Sequence, residues 1–174
     1  MKIYTESRTG NKHRALRNAL KGFDWELQDI QFSINETPSL ITMEDTVNKS
    51  LWRARRITVE HEIPKGSLVI GIQKGWSVNE GVLLILAVSA FITGQHEPPV
   101  TEHAHVSVDS PEMASYILSG MHPYDAYEKA KGVSIRKTST PVYEVITGKS
   151  EIVWMETTIR KVLDAFQKQK SDSC

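Results

Sequence analysis

The chain has 174 residues, 40% hydrophobic and 24% charged, which is long enough to bury one sizeable core. Its 21 Lys and Arg balance its 21 Asp and Glu, so the net charge indicates neither a nucleic-acid-binding protein nor an acidic tail. The longest apolar run, residues 81–92, is too short for a membrane span, no signal-peptide pattern opens the chain, and the single cysteine is Cys174. We expect one cytoplasmic domain at 1–168, without a membrane or nucleic-acid partner, and a frayed tail at 169–174.

The amino-terminal segment predicts a strand, a polar loop and a helix. Residues 2–5 are expected to form the strand and residues 6–10 the loop. Apolar residues recur at helical spacing over residues 11–21, and Thr9 is a candidate cap for that helix. The loop therefore feeds directly into a helix amino terminus.

A second strand and a second helix follow. Residues 25–34 predict the strand, which leads into a loop at 35–41. Thr42 then opens a helix, because Thr42 and Asp45 have the spacing of a capping box. The apolar face of this helix carries Val47, Leu51, Ala54 and Ile57.

The centre of the chain predicts the core of a sheet. Two buried strands are expected at 67–72 and 81–90, with residues 73–80 as a polar hairpin loop between them. The alternation of residues 103–108 predicts a further strand, which ends before Pro111.

The last third predicts two short helices, a strand and a final helix. The short helices are expected at 111–120 and 123–129, and the strand at 141–148. The final helix is indicated by an apolar stripe that consists of Ile152, Met155, Ile159, Val162, Leu163 and Phe166. Hairpins combined with βα units predict an α/β fold with a mixed central sheet and flanking helices.

Four segments, in this order, resemble the inosine/xanthosine triphosphatases of the YjjX type. SRTGNK at 7–12 is similar to the family's T-x-N-x-x-K loop, and EDTVNKSLWRA at 44–54 to its helix with G-A-x-N-R-A. Residues 106–129 are similar to the family's strand, proline, helix and glycine pattern, and residues 145–166 to its T-x-G turn and final helix. The resemblance covers nearly the whole chain and implies an inosine triphosphate pyrophosphatase-like fold.

The activity that this resemblance implies is hydrolysis of deaminated purine nucleoside triphosphates, such as ITP and XTP, as nucleotide-pool house-cleaning. It implies Mg²⁺ as the cofactor, with Mn²⁺ as a substitute, and a homodimer as the assembly. The sequence-based hypothesis is therefore a Mg²⁺-dependent nucleoside triphosphatase.

Candidate phosphate ligands lie in the first loop and on later elements. A loop before a helix supplies backbone N–H groups and a positive dipole, and the cations add charge. The candidates are Ser7, Arg8, Thr9, Gly10, Lys12, Arg53 and Lys74. Apart from the resemblance, the loop is equally typical of a solvated turn with a helix cap, and Arg53 of a surface helix residue.

Candidate metal ligands are carboxylates, since Mg²⁺ prefers oxygen. Glu36 follows the second predicted strand, near a family metal-binding Glu, while Glu44 and Asp45 open the second helix. The structural alternative for Asp45 is the capping box with Thr42, and for Glu44 a first-turn carboxylate that favours the helix dipole.

Gln73 and Lys12 are the candidate catalytic residues. The family has a carboxylate in a pattern such as V-A-I-E-A-G, where this chain reads VIGIQKG at 69–75. An amide is neutral and a poor base, so Gln73 would orient water or contact the ligand. An alternative hypothesis follows, in which the chain binds a nucleotide or a protein partner without hydrolysis. Exposed Trp52 or Trp76 would favour the protein partner.

The histidines offer a separate hypothesis. His96, Glu97, His103 and His105 are residue types that bind Zn²⁺, and the last two share one side of a predicted strand. The alternative is that these are exposed polar side chains of an edge strand.

Overall fold

The computed structural model describes residues 1–6, 10–30, 42–78, 81–135 and 140–172. Its strands are β1 (Lys2–Thr5), β2 (Glu26–Asp29), β3 (Leu68–Ser77), β4 (Val82–Ile92) and β5 (Val100–Val108). Its helices are α1 (Gly10–Ala19), α2 (Met43–Glu60), α3 (Pro111–Leu118), α4 (Pro123–Lys131), α5 (Val142–Thr147) and α6 (Glu151–Asp172).

The strands form one mixed sheet in the order β2-β1-β3-β4-β5. β1 is parallel to both of its neighbours, while β3, β4 and β5 are successively antiparallel. This confirms the predicted α/β fold with a mixed central sheet. The chain leaves β1 for β2 on one side and later returns to β3 on the other, so the direction of strand order reverses at β1. In α/β sheets, the carboxyl ends of the strands at such a point form the usual ligand crevice.

The two faces of the sheet bury different helices. Helix α2 covers one face, where Ala54 and Ile57 pack with Val69 in a small apolar cluster. The opposite face carries the larger core, in which α1 and α6 pack on each other and on the sheet. The apolar stripe predicted for the last helix lies in this core, from Met155 to Phe166.

Two glycines of β3 allow α2 to approach the sheet closely. A Cβ on Gly71 would lie 2.0 Å from the Ser50 carbonyl oxygen, and one on Gly75 would lie 2.1 Å from Thr46 Oγ1. Because alternate residues of a strand share a face, Gln73 lies between these glycines and also faces α2. The close approach therefore brings the middle of α2 against the side chain of Gln73.

The predicted hairpin loop at 73–80 is wrong over its first half, because β3 continues to Ser77. Gln73 pairs with Ala87 and Lys74 with Leu86 in the ladder with β4. Their polar side chains suggested a solvated loop, whereas both find buried polar partners that are described below. Residues 79 and 80 lie outside the described part.

The predicted strand at 141–148 is also wrong, since residues Val142–Thr147 form the helix α5. Its β-branched residues favour a strand locally, but Pro141 precedes the helix and Gly148 ends it with a left-handed φ of 66°. Tyr143 stacks on Trp154 at a ring distance of 4.3 Å, which holds α5 against α6. Tertiary packing thus overrides the local preference.

The remaining boundaries agree with the sequence more closely. β1 and the start of α2 lie where they were expected, and β2 is described at Glu26–Asp29 only, since residues 31–41 lie outside the described ranges. Helix α6 extends to Asp172, into the segment that was expected to fray. None of the helices in the described ranges is both long and apolar enough to cross a membrane.

Candidate functional site

Charged and polar side chains collect beyond the carboxyl end of β1 and beside the middle of β3, at the point where strand order reverses. We call this group the switch-point cluster; it consists of Glu6, Lys12, Arg53, Gln73, Lys74 and Glu151. Glu6 follows the last residue of β1, and Lys12 lies in the first turn of α1. The other members come from α2, β3 and the first residue of α6. Four segments far apart in sequence therefore converge on one end of the sheet.

Arg53 connects α2 with both parallel strands. Its Nε donates to Gln73 Oε1 at 2.5 Å, and its Nη1 forms an ion pair with Glu6 Oε1. The Arg53 and Glu6 side chains are 4% and 6% exposed. Gln73 also donates from Nε2 to the Lys74 carbonyl oxygen at 2.5 Å. Both ends of the Gln73 amide are thus engaged within the protein.

Glu151 organises the opposite face of β3. Lys74 Nζ lies 2.6 Å from Glu151 Oε1, and Asn11 Nδ2 donates to Glu151 Oε2 at 3.0 Å. The backbone N–H of Glu151 donates to Glu144 Oε1 at 3.0 Å, which fixes the start of α6. Glu151 is only 1% exposed, whereas the Lys74 side chain is 28% exposed. This carboxylate therefore has a partner on each oxygen.

Lys12 lies between the two halves of the cluster. Its Nζ donates to the Ile72 carbonyl oxygen at 3.0 Å, the one hydrogen bond that it makes to the described residues. An ammonium group has three donors, and the described residues use only one of them. Burial, followed by repulsion from Arg53, lowers the pKa of Lys12 to about 8. The side chain is half-buried, which leaves it reachable from solvent.

The charges of the cluster do not cancel. Lys12, Arg53 and Lys74 carry three positive charges when ionised, and Glu6 and Glu151 carry two negative charges, which leaves a net charge of +1. Charge interactions are stronger in a partly buried site than in water. The site therefore favours an anion.

Two buried oxygens of the cluster region have no hydrogen-bond partner among the described residues. They are Glu6 Oε2 and Thr5 Oγ1. Buried polar atoms are nearly always paired, so each of these is a candidate contact for a ligand.

The structure brings four of the sequence-predicted site residues together: Lys12, Arg53, Gln73 and Lys74. Gly10 is the first residue of α1, with a φ of 80° that favours glycine. The predictions for Ser7, Arg8, Thr9 and Glu36 fall outside the described residues.

The predicted metal ligands on α2 lie apart from Arg53. Asp45 N donates to Thr42 Oγ1 at 3.0 Å, and Thr42 Oγ1 donates to Asp45 Oδ2 at 2.6 Å, which is the capping arrangement that was the alternative for Asp45. Asp45 precedes Arg53 by two helical turns, about 12 Å along the axis. Glu44 is exposed in the first turn of α2. Within the described ranges, no three His, Cys, Asp or Glu side chains lie close enough to hold a metal ion.

The sequence analysis assigned no role in the site to Glu6 or Glu151. A carboxylate that directly follows a buried parallel strand was the available signal for Glu6. Nothing local marks Glu151, whose role depends on the contact of α6 with Lys74 and Asn11.

The two tryptophans and the two strand histidines lie outside the switch-point cluster. Trp76 is 4% exposed and packs edge-on against Tyr124, so it offers no exposed surface to a protein partner. Trp52 is 39% exposed and lines a shallow depression of about 280 Å³, with Lys49 Nζ 3.8 Å from the ring centre. His103 and His105 are exposed on β5, at the edge of the sheet.

No protein-family model matches the chain, and no curated protein matches it. Among solved structures, the fold is similar to that of protein VC0702 from Vibrio cholerae, with a TM-score of 0.72. The similarity covers 95% of this chain and 94% of that chain, at 15% sequence identity. At this identity the comparison shows a shared fold alone.

Proposed function

We propose that this protein is a nucleoside triphosphatase that binds the triphosphate of its substrate at the switch-point cluster. The observation that carries the proposal is the convergence of Lys12, Arg53 and Lys74 beyond the carboxyl end of β1, beside the middle of the parallel strand β3. The carboxyl end of a strand at which strand order reverses is where α/β sheets usually bind ligands, and this one adjoins the amino terminus of α1. Its net positive charge suits a polyphosphate.

Lys12 is the residue best suited to hold phosphate. Two donors of its ammonium are not used by the residues that the structure describes, and the helix dipole of α1 adds positive potential at the same end. Phosphate oxygens would use those donors and offset the unbalanced positive charge of the cluster.

The choice of substrate rests on the four segments that resemble the inosine/xanthosine triphosphatases. On that basis the substrates are deaminated purine nucleotides such as ITP and XTP. The same resemblance supports a homodimer.

Mg²⁺ fits this site in one respect only, since Arg53 and Lys12 lie beside Glu6 and repel a cation. It prefers carboxylate oxygens, and Glu6 Oε2 is a buried carboxylate oxygen without a partner among the described residues. When bound, Mg²⁺ would neutralise charge on the triphosphate. Asp45, Glu44 and Glu36 stay predicted ligands, of which Asp45 is already engaged in the cap of α2.

The other members of the cluster position the site. Arg53 holds Glu6 and Gln73 at a fixed distance from each other, and Glu151 orients Lys74. Gln73 is an amide with both ends engaged, so its role is to fix the guanidinium and the adjacent backbone rather than to accept a proton.

Binding without hydrolysis is the second candidate function. It is favoured by Gln73, because the position that carries a carboxylate in the resembling family holds a fully engaged amide here. In this case the cluster would bind the nucleotide and release it unchanged.

An assay of phosphate and pyrophosphate release distinguishes the two candidate functions. The native protein is incubated with ITP, XTP, dITP or ATP and Mg²⁺, and inorganic phosphate and pyrophosphate are measured. Turnover of ITP and XTP that falls at least about a hundredfold in Lys12→Ala is expected. Lys161→Ala, which removes an exposed lysine of α6, is the matched control and should retain turnover.

The remaining outcomes are equally definite. Nucleotide binding without turnover at micromolar protein would establish the second function, and a gain of turnover in Gln73→Glu would trace the loss to that residue. Neither binding nor turnover would contradict both functions.

A further inference from the structure

We infer that Asn11 is a positioning residue of the triphosphate site, which sets the separation between the two ligand-holding lysines, Lys12 and Lys74. The inference rests on the function proposed above and deepens it. Asn11 lies in the first turn of α1 and directly precedes Lys12. The sequence analysis assigned it no role in the site.

The side chain of Asn11 reaches Lys74 through Glu151. Asn11 Nδ2 donates to Glu151 Oε2 at 3.0 Å, and Lys74 Nζ lies 2.6 Å from Glu151 Oε1. Glu151 is 1% exposed, so water cannot readily replace either partner. One buried carboxylate therefore ties the amino terminus of α1 to the middle of β3.

The two lysines lie close enough to share one ligand. Lys12 Nζ donates to the Ile72 carbonyl oxygen at 3.0 Å. Ile72 and Lys74 are alternate residues of β3, so their side chains share one face of the sheet about 7 Å apart along the strand. Burial and Arg53 lower the pKa of Lys12 most, and the charge of Lys74 lowers it further, so the two ammonium groups interact. A chain of phosphate groups could therefore contact both.

Two ammonium groups repel each other, so their separation must be held before the ligand binds. Glu151 balances the charge of Lys74, and Asn11 fixes the orientation of the Glu151 carboxylate. If that orientation were free, the lysines would have to be ordered when the ligand binds, at a cost in affinity. Asn11 thus acts through Glu151 and not by contact with phosphate.

The residue type suits this role. An amide donates to a carboxylate oxygen without adding charge. An aspartate at this position would repel Glu151, and a lysine or arginine would compete with Lys74 for it. A neutral donor leaves the charge of Glu151 available to Lys74.

The test compares the binding of inorganic tripolyphosphate to the full chain and to Asn11→Leu, which has a similar size and the same charge but no donor. Calorimetric titration should give a dissociation constant at least about tenfold higher for Asn11→Leu than for the native protein. Asn18→Leu, at an asparagine of the same helix about 10 Å further along its axis, is the matched control and should bind like the native protein. Equal affinity of Asn11→Leu and the native protein would overturn the inference.

A second measurement distinguishes positioning from general damage to the fold. Saturating tripolyphosphate should shift the NMR signals of the Cε–H groups of both Lys12 and Lys74 in the native protein. In Asn11→Leu the signals of Lys12 should still shift, while those of Lys74 should stay close to their free positions. Shifts of both lysines in Asn11→Leu that match those of the native protein would contradict the inference.

The native protein also provides a test that needs no variant. Because one ligand is expected to contact both lysines, their Cε–H signals should follow the same saturation curve as tripolyphosphate is added. Two different curves would mean that the lysines bind phosphate independently, which would overturn the inference.

Failure of the proposed function has a separate signature. If the native protein does not bind tripolyphosphate, the proposed function fails and the role of Asn11 fails with it. Binding by the native protein that Asn11→Leu leaves unchanged contradicts the role of Asn11 alone.

Discussion

The Arg53 guanidinium donates from Nε to the Gln73 amide oxygen at 2.5 Å, across the closest approach of α2 to β3. This bond can form because Gly71 and Gly75, on either side of Gln73, have no side chains to hold the helix away. A strand residue that was expected in a solvated loop is thereby buried and fixed to a helix.

Gly71→Ala is expected to destabilise the protein by about 2–3 kcal/mol or more, because the new Cβ would overlap the Ser50 backbone. Gly75→Ala should cost less, since its Cβ meets mainly the side chain of Thr46. Urea unfolding measures both free energies.

A double variant distinguishes the two glycines. Thr46→Ala should recover part of the stability lost in Gly75→Ala, whereas it should leave Gly71→Ala unchanged. Equal recovery of stability in both glycine variants would mean that the contact of Gly75 with Thr46 is not the cause of the stability lost in Gly75→Ala.

Phosphate affinity is expected to fall as pH rises through about 8, where the pKa of Lys12 lies because of its burial. Below pH 8 the amine of the free protein is charged and attracts phosphate, and above pH 8 binding must first take up a proton. The dissociation constant for ITP should rise by up to about tenfold per pH unit relative to Lys12→Arg, which stays charged. Calorimetric titrations of both proteins from pH 7 to 9.5 measure the difference. Parallel pH profiles would exclude Lys12 from phosphate binding.

Lys12→Met is expected to raise the free energy of unfolding at pH 7 by on the order of 1–2 kcal/mol while it abolishes phosphate binding. Burial lowers the pKa of Lys12 from 10.5 to about 8, so below pH 8 the fold carries a charge that it disfavours. Between pH 8 and 10.5 the unfolded chain binds more protons than the folded one, so the native protein gains stability as pH rises. The difference in free energy of unfolding between Lys12→Met and the native protein should therefore shrink towards pH 10, which urea unfolding at several pH values measures. A difference that grows with pH would contradict a lowered pKa of Lys12.

Glu151→Gln is expected to lower the free energy of unfolding by about 1–2 kcal/mol, because it leaves Lys74 without its ion-pair partner. The effect is moderate, since the Lys74 side chain is 28% exposed and water can solvate it. Glu156→Gln, in a partly exposed pair with Arg160 one helical turn away, is the matched control and should change stability by less than about 0.5 kcal/mol.

The sequence predicted the parts of this fold that depend on local patterns. Thr42 and Asp45 form the cap that their spacing indicates, and the apolar stripe of the last helix is buried. The strand predicted at 141–148 failed because β-branched residues favour a strand locally, while the stacking of Tyr143 on Trp154 favours a helix. Contacts between distant segments are absent from any local pattern.

The candidate site likewise contains residues that the sequence predicted and contacts between distant segments that it did not predict. Lys12 and Arg53 could be selected from the segments that carry the resemblance, and Gln73 and Lys74 from the comparison with the pattern V-A-I-E-A-G; the structure brings the four together. Glu6 was not selected, because its position after a buried strand is a weak signal and its ion pair with Arg53 depends on the packing of α2 against the sheet. The pairing of Lys74 with Glu151 likewise joins residues far apart in the chain.

The most direct test of the central claim is an NMR titration of the native protein with ITP in the absence of metal. If the switch-point cluster binds the triphosphate, the largest shifts will be those of the backbone amides of Glu6, Gly10, Lys12 and Gln73, and they will be lost in Lys12→Ala but kept in Lys161→Ala. No shifts at millimolar ITP, or shifts confined to the depression around Trp52, would contradict it.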